Sequence, residues 1–169
     1  GNNDLPLLDA PTMISSADYL VMESTYGNRL HMRNDDKAEM FLDIVSETLN
    51  QGGKVIIPSF AVGRTQEIIY EIDKLKEQYG QDEEFARKYD TVMKVPVYVD
   101  SPMAVEATGV FTENRWECFD EEAMEYVKAG INPITFPGLK LSITSDESKA
   151  INFEDTPKVI ISASGMCEA

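Results

Sequence analysis

The sequence predicts an α/β fold with a mainly parallel β-sheet and helices on both faces. Short apolar runs alternate along the chain with stretches of helical periodicity. The runs are apolar throughout instead of alternating apolar and polar residues, which is typical of strands buried on both faces of a sheet. Hydrophobic residues make up 43% and charged residues 27% of the 169 residues, an ordinary globular composition.

Each predicted element has its own local signal. Strands are expected where short apolar runs meet turn residues, at residues 19–22, 54–58, 95–100, 139–144 and 158–164. The first helix begins after Asn34 or Asp35, either of which is a suitable N-cap, and stops at the glycines that follow Gln51. Further helices are expected at about residues 66–79, from about residue 103, with Pro102 at its start, and at residues 121–129 and 146–152. The polar residues 81–90 form either a short helix or an irregular excursion of the chain.

Small or polar residues follow four of the five predicted strands. They are Glu23-Ser24-Thr25, Ser59, Asp100-Ser101 and the run from Ser162 to Gly165. Ligands of open parallel sheets bind beyond the carboxyl ends of the strands. We therefore expect these clusters to meet at one edge of the sheet and to form a binding site there.

Several residues of this edge have both a structural and a functional interpretation. Glu23 is either a solvated carboxylate or a carboxylate that ligates a metal or orients a histidine. His31, the single histidine, is either a polar loop contact or a catalytic group. Arg64 follows a glycine at a helix start, which suits phosphate, although a plain turn explains it equally well. The candidate substrate-binding residues are Ser24, Thr25, Tyr26, Ser59, Arg64, Ser101, Ser164 and Gly165.

Composition excludes several kinds of site and partner. Thirty acidic residues against fifteen basic ones give a net charge of −15, which disfavours binding to extended nucleic acid but leaves a narrow nucleotide pocket open. One histidine and two separated cysteines cannot complete a catalytic zinc site, so we expect no metal ligands in this chain. A carboxylate-only Mg²⁺ or Ca²⁺ site stays open as an alternative. We expect a cytoplasmic protein without membrane association.

Four motifs in order carry a family resemblance. "VMESTYGNRLH", "GGKVIIPSFAVGRTQEIIYEI", "VPVYVDSPMA" and "VIISASGM", between about residues 17 and 167, resemble the β-CASP family. This family consists of RNA-processing nucleases with a metallo-β-lactamase fold, and its bacterial exonuclease branch is the most similar. The resemblance implies that residues 1–16 are a linker or the end of a preceding metallo-β-lactamase portion. Residues 17–169 would be a β-CASP domain, truncated before the C-terminal metallo-β-lactamase portion.

The resemblance also implies an activity and its cofactors. The longer parent would hydrolyse RNA phosphodiester bonds with two zinc ions held outside this chain, in part by an HxHxDH motif. Glu23 matches an acidic residue that hydrogen-bonds a downstream histidine, and His31 matches a histidine common in the family. A single RNA strand would thread between this segment and the metal-binding portion. The isolated chain would be inactive, and a homodimer is a further option.

Two alternatives of different classes stay open. The chain could be a non-catalytic interaction or scaffold module of a degenerate family member. It could also belong to a related metal-dependent hydrolase that acts on another ester. The presence or absence of the HxHxDH motif in the longer protein would distinguish the nuclease from the scaffold.

Overall fold

A four-stranded, fully parallel sheet organises the part of the chain that the computed structural model describes, residues 5–30 and 37–164. The strands are β1 (Lys54–Pro58), β2 (Val97–Asp100), β3 (Leu139–Ser142) and β4 (Lys158–Ser162). Their order across the sheet is β1-β4-β2-β3. All four coincide with predicted strands, and the predicted α/β class is confirmed.

Seven helices connect and cover the strands within the described residues. They are α1 (Lys37–Asn50), α2 (Arg64–Gln81), α3 (Glu83–Lys94), α4 (Pro102–Glu113), α5 (Arg115–Cys118), α6 (Glu121–Lys128) and α7 (Ser145–Phe153). Side-chain oxygens of Asp82, Ser101, Asp120 and Thr144 accept backbone N–H groups at the starts of α3, α4, α6 and α7. These bonds satisfy donors that a helix start leaves unpaired, so the local sequence fixes where each helix begins.

The main hydrophobic core lies on one face of the sheet. Successive side chains of a strand point to opposite faces, so alternate residues of each strand enter this core. Helices α1, α2, α3 and α6 supply the opposing apolar side chains, among them Leu42, Ile69, Tyr89 and Val127. Full burial of a side chain such as Ile69 contributes about 1.5–3 kcal/mol to the free energy of folding.

Helix α7 covers the opposite face with a smaller cluster. Ile151 packs there with Tyr98 and Ile160. Beside it, the fully buried Lys158 donates hydrogen bonds to the carbonyl oxygens of Ile151 (3.2 Å) and Glu154 (3.0 Å) and to the Glu154 carboxylate (2.9 Å). A lysine of β4, an inner strand, therefore satisfies the carbonyl groups at the end of α7 and holds that helix on the sheet.

The predicted strand at residues 19–22 is wrong. These residues lie outside any helix or strand, and their side chains are 94%, 77%, 98% and 69% exposed. A strand needs a neighbour for its backbone hydrogen bonds, and within the described residues the sheet consists only of the four strands above. The apolar run therefore stays uncovered in this structure. The expected N-cap of the first helix, Asn34 or Asp35, lies outside the described residues.

No helix in the described part of the chain is both long enough and apolar enough to cross a membrane.

Asp73 is an acidic side chain buried on α2, only 9% exposed. Burial, together with the nearby Glu77 carboxylate, raises the pKa of Asp73 to about 6, while Lys76 acts in the opposite direction. The folded state thus binds this proton more tightly than the unfolded state does. Protonated Asp73 therefore stabilises the folded state relative to the ionised form. This stabilisation is fully present below the ordinary pKa of an aspartate and is lost as the pH rises through about 6.

We expect Asp73→Asn to stabilise the chain increasingly between about pH 5 and about pH 7.5, towards an upper limit of about 3 kcal/mol. Urea unfolding at both pH values measures this difference. Asp155→Asn removes the same charge at an exposed position and serves as the control. If the Asp73→Asn variant is less stable than the parent chain at the higher pH, the carboxylate is not disfavoured by its surroundings.

Candidate functional site

The carboxyl ends of the four strands form one edge with a fixed alignment. Ser162 of β4 is in register with Pro58 of β1 and with Asp100 of β2, and Asp100 is in register with Ser142 of β3. The last residues of all four strands therefore lie side by side. The segments that follow them bring three of the predicted site residues, Ser59, Ser101 and Ser164, to this carboxyl edge.

The loop that follows β1 is held by its own backbone and hydroxyl groups. The N–H of Ser59 donates to the carbonyl oxygen of Ser162 at 2.9 Å, which extends the pairing of β1 with β4 by one residue. The Thr65 hydroxyl donates to the Phe60 carbonyl oxygen at 2.8 Å and lies 3.1 Å from the Ser59 hydroxyl. Ser59 is 2% exposed, so its hydroxyl serves the loop in this structure.

Gln66 joins this loop to the start of α4. Its amide oxygen accepts the N–H of Gly63 at 2.7 Å. Its amide nitrogen donates to the carbonyl oxygens of Ala61 (3.1 Å) and Ala104 (3.3 Å) and to the Thr108 hydroxyl (2.9 Å). Gln66 is fully buried, and one uncharged side chain thus fixes two loops of the carboxyl edge relative to each other.

The segment after β2 uses its polar side chains in the same way. The Ser101 hydroxyl accepts the N–H of Ala104 at 3.2 Å and caps α4, with Pro102 in the first helical turn. The Ser148 hydroxyl of α7 donates to the Asp100 carboxylate at 2.9 Å. Ser101 is 7% exposed, so in this structure its hydroxyl acts as a helix cap.

Arg64 is the first residue of α2 and lies close to the carboxyl edge. Its guanidinium is 2.6 Å from the carboxylate of Glu67, three residues later on the same helix. The Arg64 side chain is 58% exposed, whereas that of Glu67 is 9% exposed. The buried carboxylate therefore orients a guanidinium that still reaches solvent, where it could donate to a phosphate oxygen as a second partner.

Glu23 lies in a segment that is exposed along its length, residues 9–30. The N–H of Thr25 donates to the Glu23 carboxylate at 2.9 Å, and this bond holds the pKa of Glu23 below its ordinary value. A turn follows, in which the N–H of Gly27 donates to the carbonyl oxygen of Ser24, and the Arg29 guanidinium lies over the Tyr26 ring. Glu23 is therefore ionised at neutral pH and able to accept a hydrogen bond.

Two predicted site residues, His31 and Gly165, lie outside the described residues, and their roles stay predictions. Glu23, Ser24, Thr25 and Tyr26 are all exposed and are not packed into the sheet. Their convergence with the carboxyl edge also stays a prediction.

The described residues do not fit a zinc site. Across residues 5–30 and 37–164, no three His, Cys, Asp or Glu side chains are grouped so that they could hold a metal ion. The single histidine of the sequence is His31. No step through zinc can therefore be assigned to these side chains.

Comparison of the sequence with models of known protein families identifies the family of this chain. The model of the family described as Beta-Casp domain matches residues 65–169, which is more than half of the chain. The chain belongs to the Beta-Casp family. The matched region begins at Thr65 and so includes the buried Gln66 and the segments after β2, β3 and β4.

Similar curated proteins come from all three domains of life. Ribonuclease TTHA0252 of Thermus thermophilus is 35% identical over 166 residues, which cover 98% of this chain and 35% of that protein. Transcription termination factor FttA of Thermococcus kodakarensis is 34% identical, with 87% of this chain and 21% of that protein covered. Cleavage and polyadenylation specificity factor 73 of Drosophila melanogaster is 27% identical, with 98% of this chain and 22% of that protein covered. The chain thus spans about a third or less of these relatives.

Gln66 is the structurally central residue that sequence analysis missed. A signal for it exists, because a glutamine three residues after a helix N-cap is the reciprocal half of a capping box. The pattern Gly63-Arg64-Thr65-Gln66 satisfies that spacing. The long-range bonds to Ala104 and Thr108 have no such local signal.

We expect Gln66→Met to lower the free energy of unfolding by about 2–4 kcal/mol, since a side chain of similar volume can bond neither the Gly63 N–H nor the Ala61 carbonyl oxygen. Urea denaturation of the chain measures the loss. Gln78→Met on the exposed side of the same helix is the matched control. Equal stability of the two variants would contradict a central role for the Gln66 amide.

Proposed function

We propose that this Beta-Casp chain is the substrate-binding cap of a zinc-dependent nuclease that processes RNA. The observation that carries the proposal is the carboxyl edge, where the segments after β1 and β2 meet around Gln66 in a chain of this family. Relatives named as a ribonuclease and as a cleavage and polyadenylation specificity factor support RNA as the substrate. Zinc dependence, exonuclease action and the inactivity of the isolated chain belong to the proposal.

Each group of this chain has a defined part in the proposed activity. Arg64 and the positive end of α2 would bind a phosphate of the substrate strand. Glu23, already ionised and fixed by Thr25, would accept a hydrogen bond from a histidine of the longer protein and hold it in orientation. The metal ligands would come from outside this chain, so its own contribution is binding and orientation.

The net charge of −15 restricts how RNA can be bound. An acidic surface repels a long polyanion, whereas a single strand inside a cleft meets only the local field of the groups that line it. A single strand that passes between this chain and a separate metal-binding portion satisfies both conditions. A homodimer and a cytoplasmic location stay predictions.

The name of one relative favours a second candidate function. FttA is a transcription termination factor, so a member of this family could act within a larger assembly, as an interaction module. A metal-dependent hydrolase acting on another ester is the remaining alternative. The HxHxDH motif in the longer protein would favour the nuclease over the interaction module.

We expect the longer protein that contains this chain to cleave single-stranded RNA, to lose the activity with a chelator and to regain it with zinc. The isolated chain should show no cleavage. End-labelled RNA resolved on a denaturing gel measures both and distinguishes stepwise shortening from internal cuts. Cleavage by the isolated chain, or chelator-resistant cleavage by the longer protein, would refute the proposal.

We also expect Arg64→Ala in the longer protein to raise the Michaelis constant for RNA roughly tenfold, through loss of a charge-assisted phosphate contact. Steady-state cleavage kinetics measure this change. Glu67→Gln keeps the guanidinium and an amide oxygen that can accept its hydrogen bond, so this variant should raise the Michaelis constant less than Arg64→Ala does. An unchanged constant for the Arg64→Ala variant would remove this arginine from the binding site.

A further inference from the structure

The loop after β1 alternates buried and exposed residues in an unusual way. Ser59 and Ala61 point inward and are 2% and 8% exposed, whereas Phe60 and Val62 point outward and are 57% and 63% exposed. The small and polar side chains are thus inside and the large apolar ones are in solvent. Exposed apolar side chains that lie together on a surface are typical of binding sites.

The backbone of Phe60 is firmly held although its ring is exposed. Its carbonyl oxygen accepts both the N–H of Thr65 (3.3 Å) and the Thr65 hydroxyl (2.8 Å). The preceding residue, Ser59, is bonded to β4. The aromatic ring is therefore presented from a rigid position, and a ligand would not need to order this loop on binding.

A second exposed apolar side chain belongs to the neighbouring loop. Met103, at the start of α4, is 64% exposed. The amide nitrogen of Gln66 bonds the carbonyl oxygens of Ala61 and Ala104, the residues that directly follow Phe60 and Met103. One buried amide thus keeps both exposed side chains at the same part of the carboxyl edge.

A positive residue begins the helix whose first turn bonds the Phe60 carbonyl oxygen. Arg64 follows Phe60 by four residues, at the positive end of α2, and its side chain is 58% exposed. A flat apolar ring beside a cationic helix start suits a nucleotide, with a base on the ring and a phosphate near the guanidinium. An aliphatic or purely apolar partner would form no favourable contact with the Arg64 guanidinium.

We propose that Phe60, together with Val62 and Met103, is a stacking platform for an unpaired base of single-stranded RNA. This inference rests on the proposed function and adds the group that binds the base. Stacking on aromatic rings is the general way in which proteins hold single strands without sequence preference. In a chain with a net charge of −15, such a contact supplies affinity that electrostatic attraction cannot.

The test is a titration of the longer protein that contains this chain with a short single-stranded RNA that carries one 2-aminopurine, in the presence of a chelator that prevents cleavage. Stacking on Phe60 should quench the 2-aminopurine fluorescence. Phe60→Ala should abolish the quenching and weaken binding at least roughly fivefold, and Phe60→Tyr should restore both, because a ring of the same shape returns. The control is Phe153→Ala, which removes an aromatic ring that is 86% exposed at the end of α7, away from the carboxyl edge.

The outcomes separate the platform from the proposed function. If RNA binds, and the Phe60→Ala variant shows the same fluorescence quenching and the same affinity as the unsubstituted protein, the platform is overturned and the proposed function stands. If neither this chain nor the longer protein binds RNA, the proposed function fails and the platform with it. If Phe60→Ala destabilises the longer protein by several degrees and leaves RNA binding unchanged, another part of that protein covers the ring and the platform is overturned.

Discussion

The pairing of β4 with both β1 and β2 is the constraint on which the rest of the molecule depends. It brings residues distant in sequence, Pro58, Asp100 and Ser162, to one level at the carboxyl edge. The bond from Ser59 to Ser162 continues the same pairing beyond the strand. A shift of one residue would send every side chain of β4 to the other face, so the main core and the site share one register.

The carboxyl edge is fixed by uncharged groups in its buried part. The side chains of Gln66 and Thr65 donate hydrogen bonds to carbonyl oxygens of this loop, and neither carries a charge that burial would penalise. Of the charged groups, Arg64 and Asp100 lie at its partly exposed margin, whereas the Glu67 carboxylate is buried and paired with Arg64. Neutral amide and hydroxyl groups thus hold the loops, and the Arg64 guanidinium is left where a ligand can reach it.

Local signals predicted the sheet well and the site only in part. The runs at 54–58 and 158–164 contain β1 and β4, and Ser101-Pro102 marks the start of α4, because apolar runs and caps act within a few residues. The apolar run at 19–22 has the same local pattern but no partner strand in the described chain, and pairing is not encoded locally. For the same reason, the bonds from Gln66 to Ala104 and Thr108 could not be predicted.

Helix α7 is anchored at both of its ends. Lys158 binds the carbonyl oxygens at its end, and Ser148, near its beginning, binds Asp100 at the carboxyl edge. Nine residues of helix span about 13 Å, so these anchors join opposite margins of the sheet through a stiff element. A shift of the helix end at the amino margin would therefore also move Ser148 and its hydrogen bond to Asp100 at the carboxyl edge.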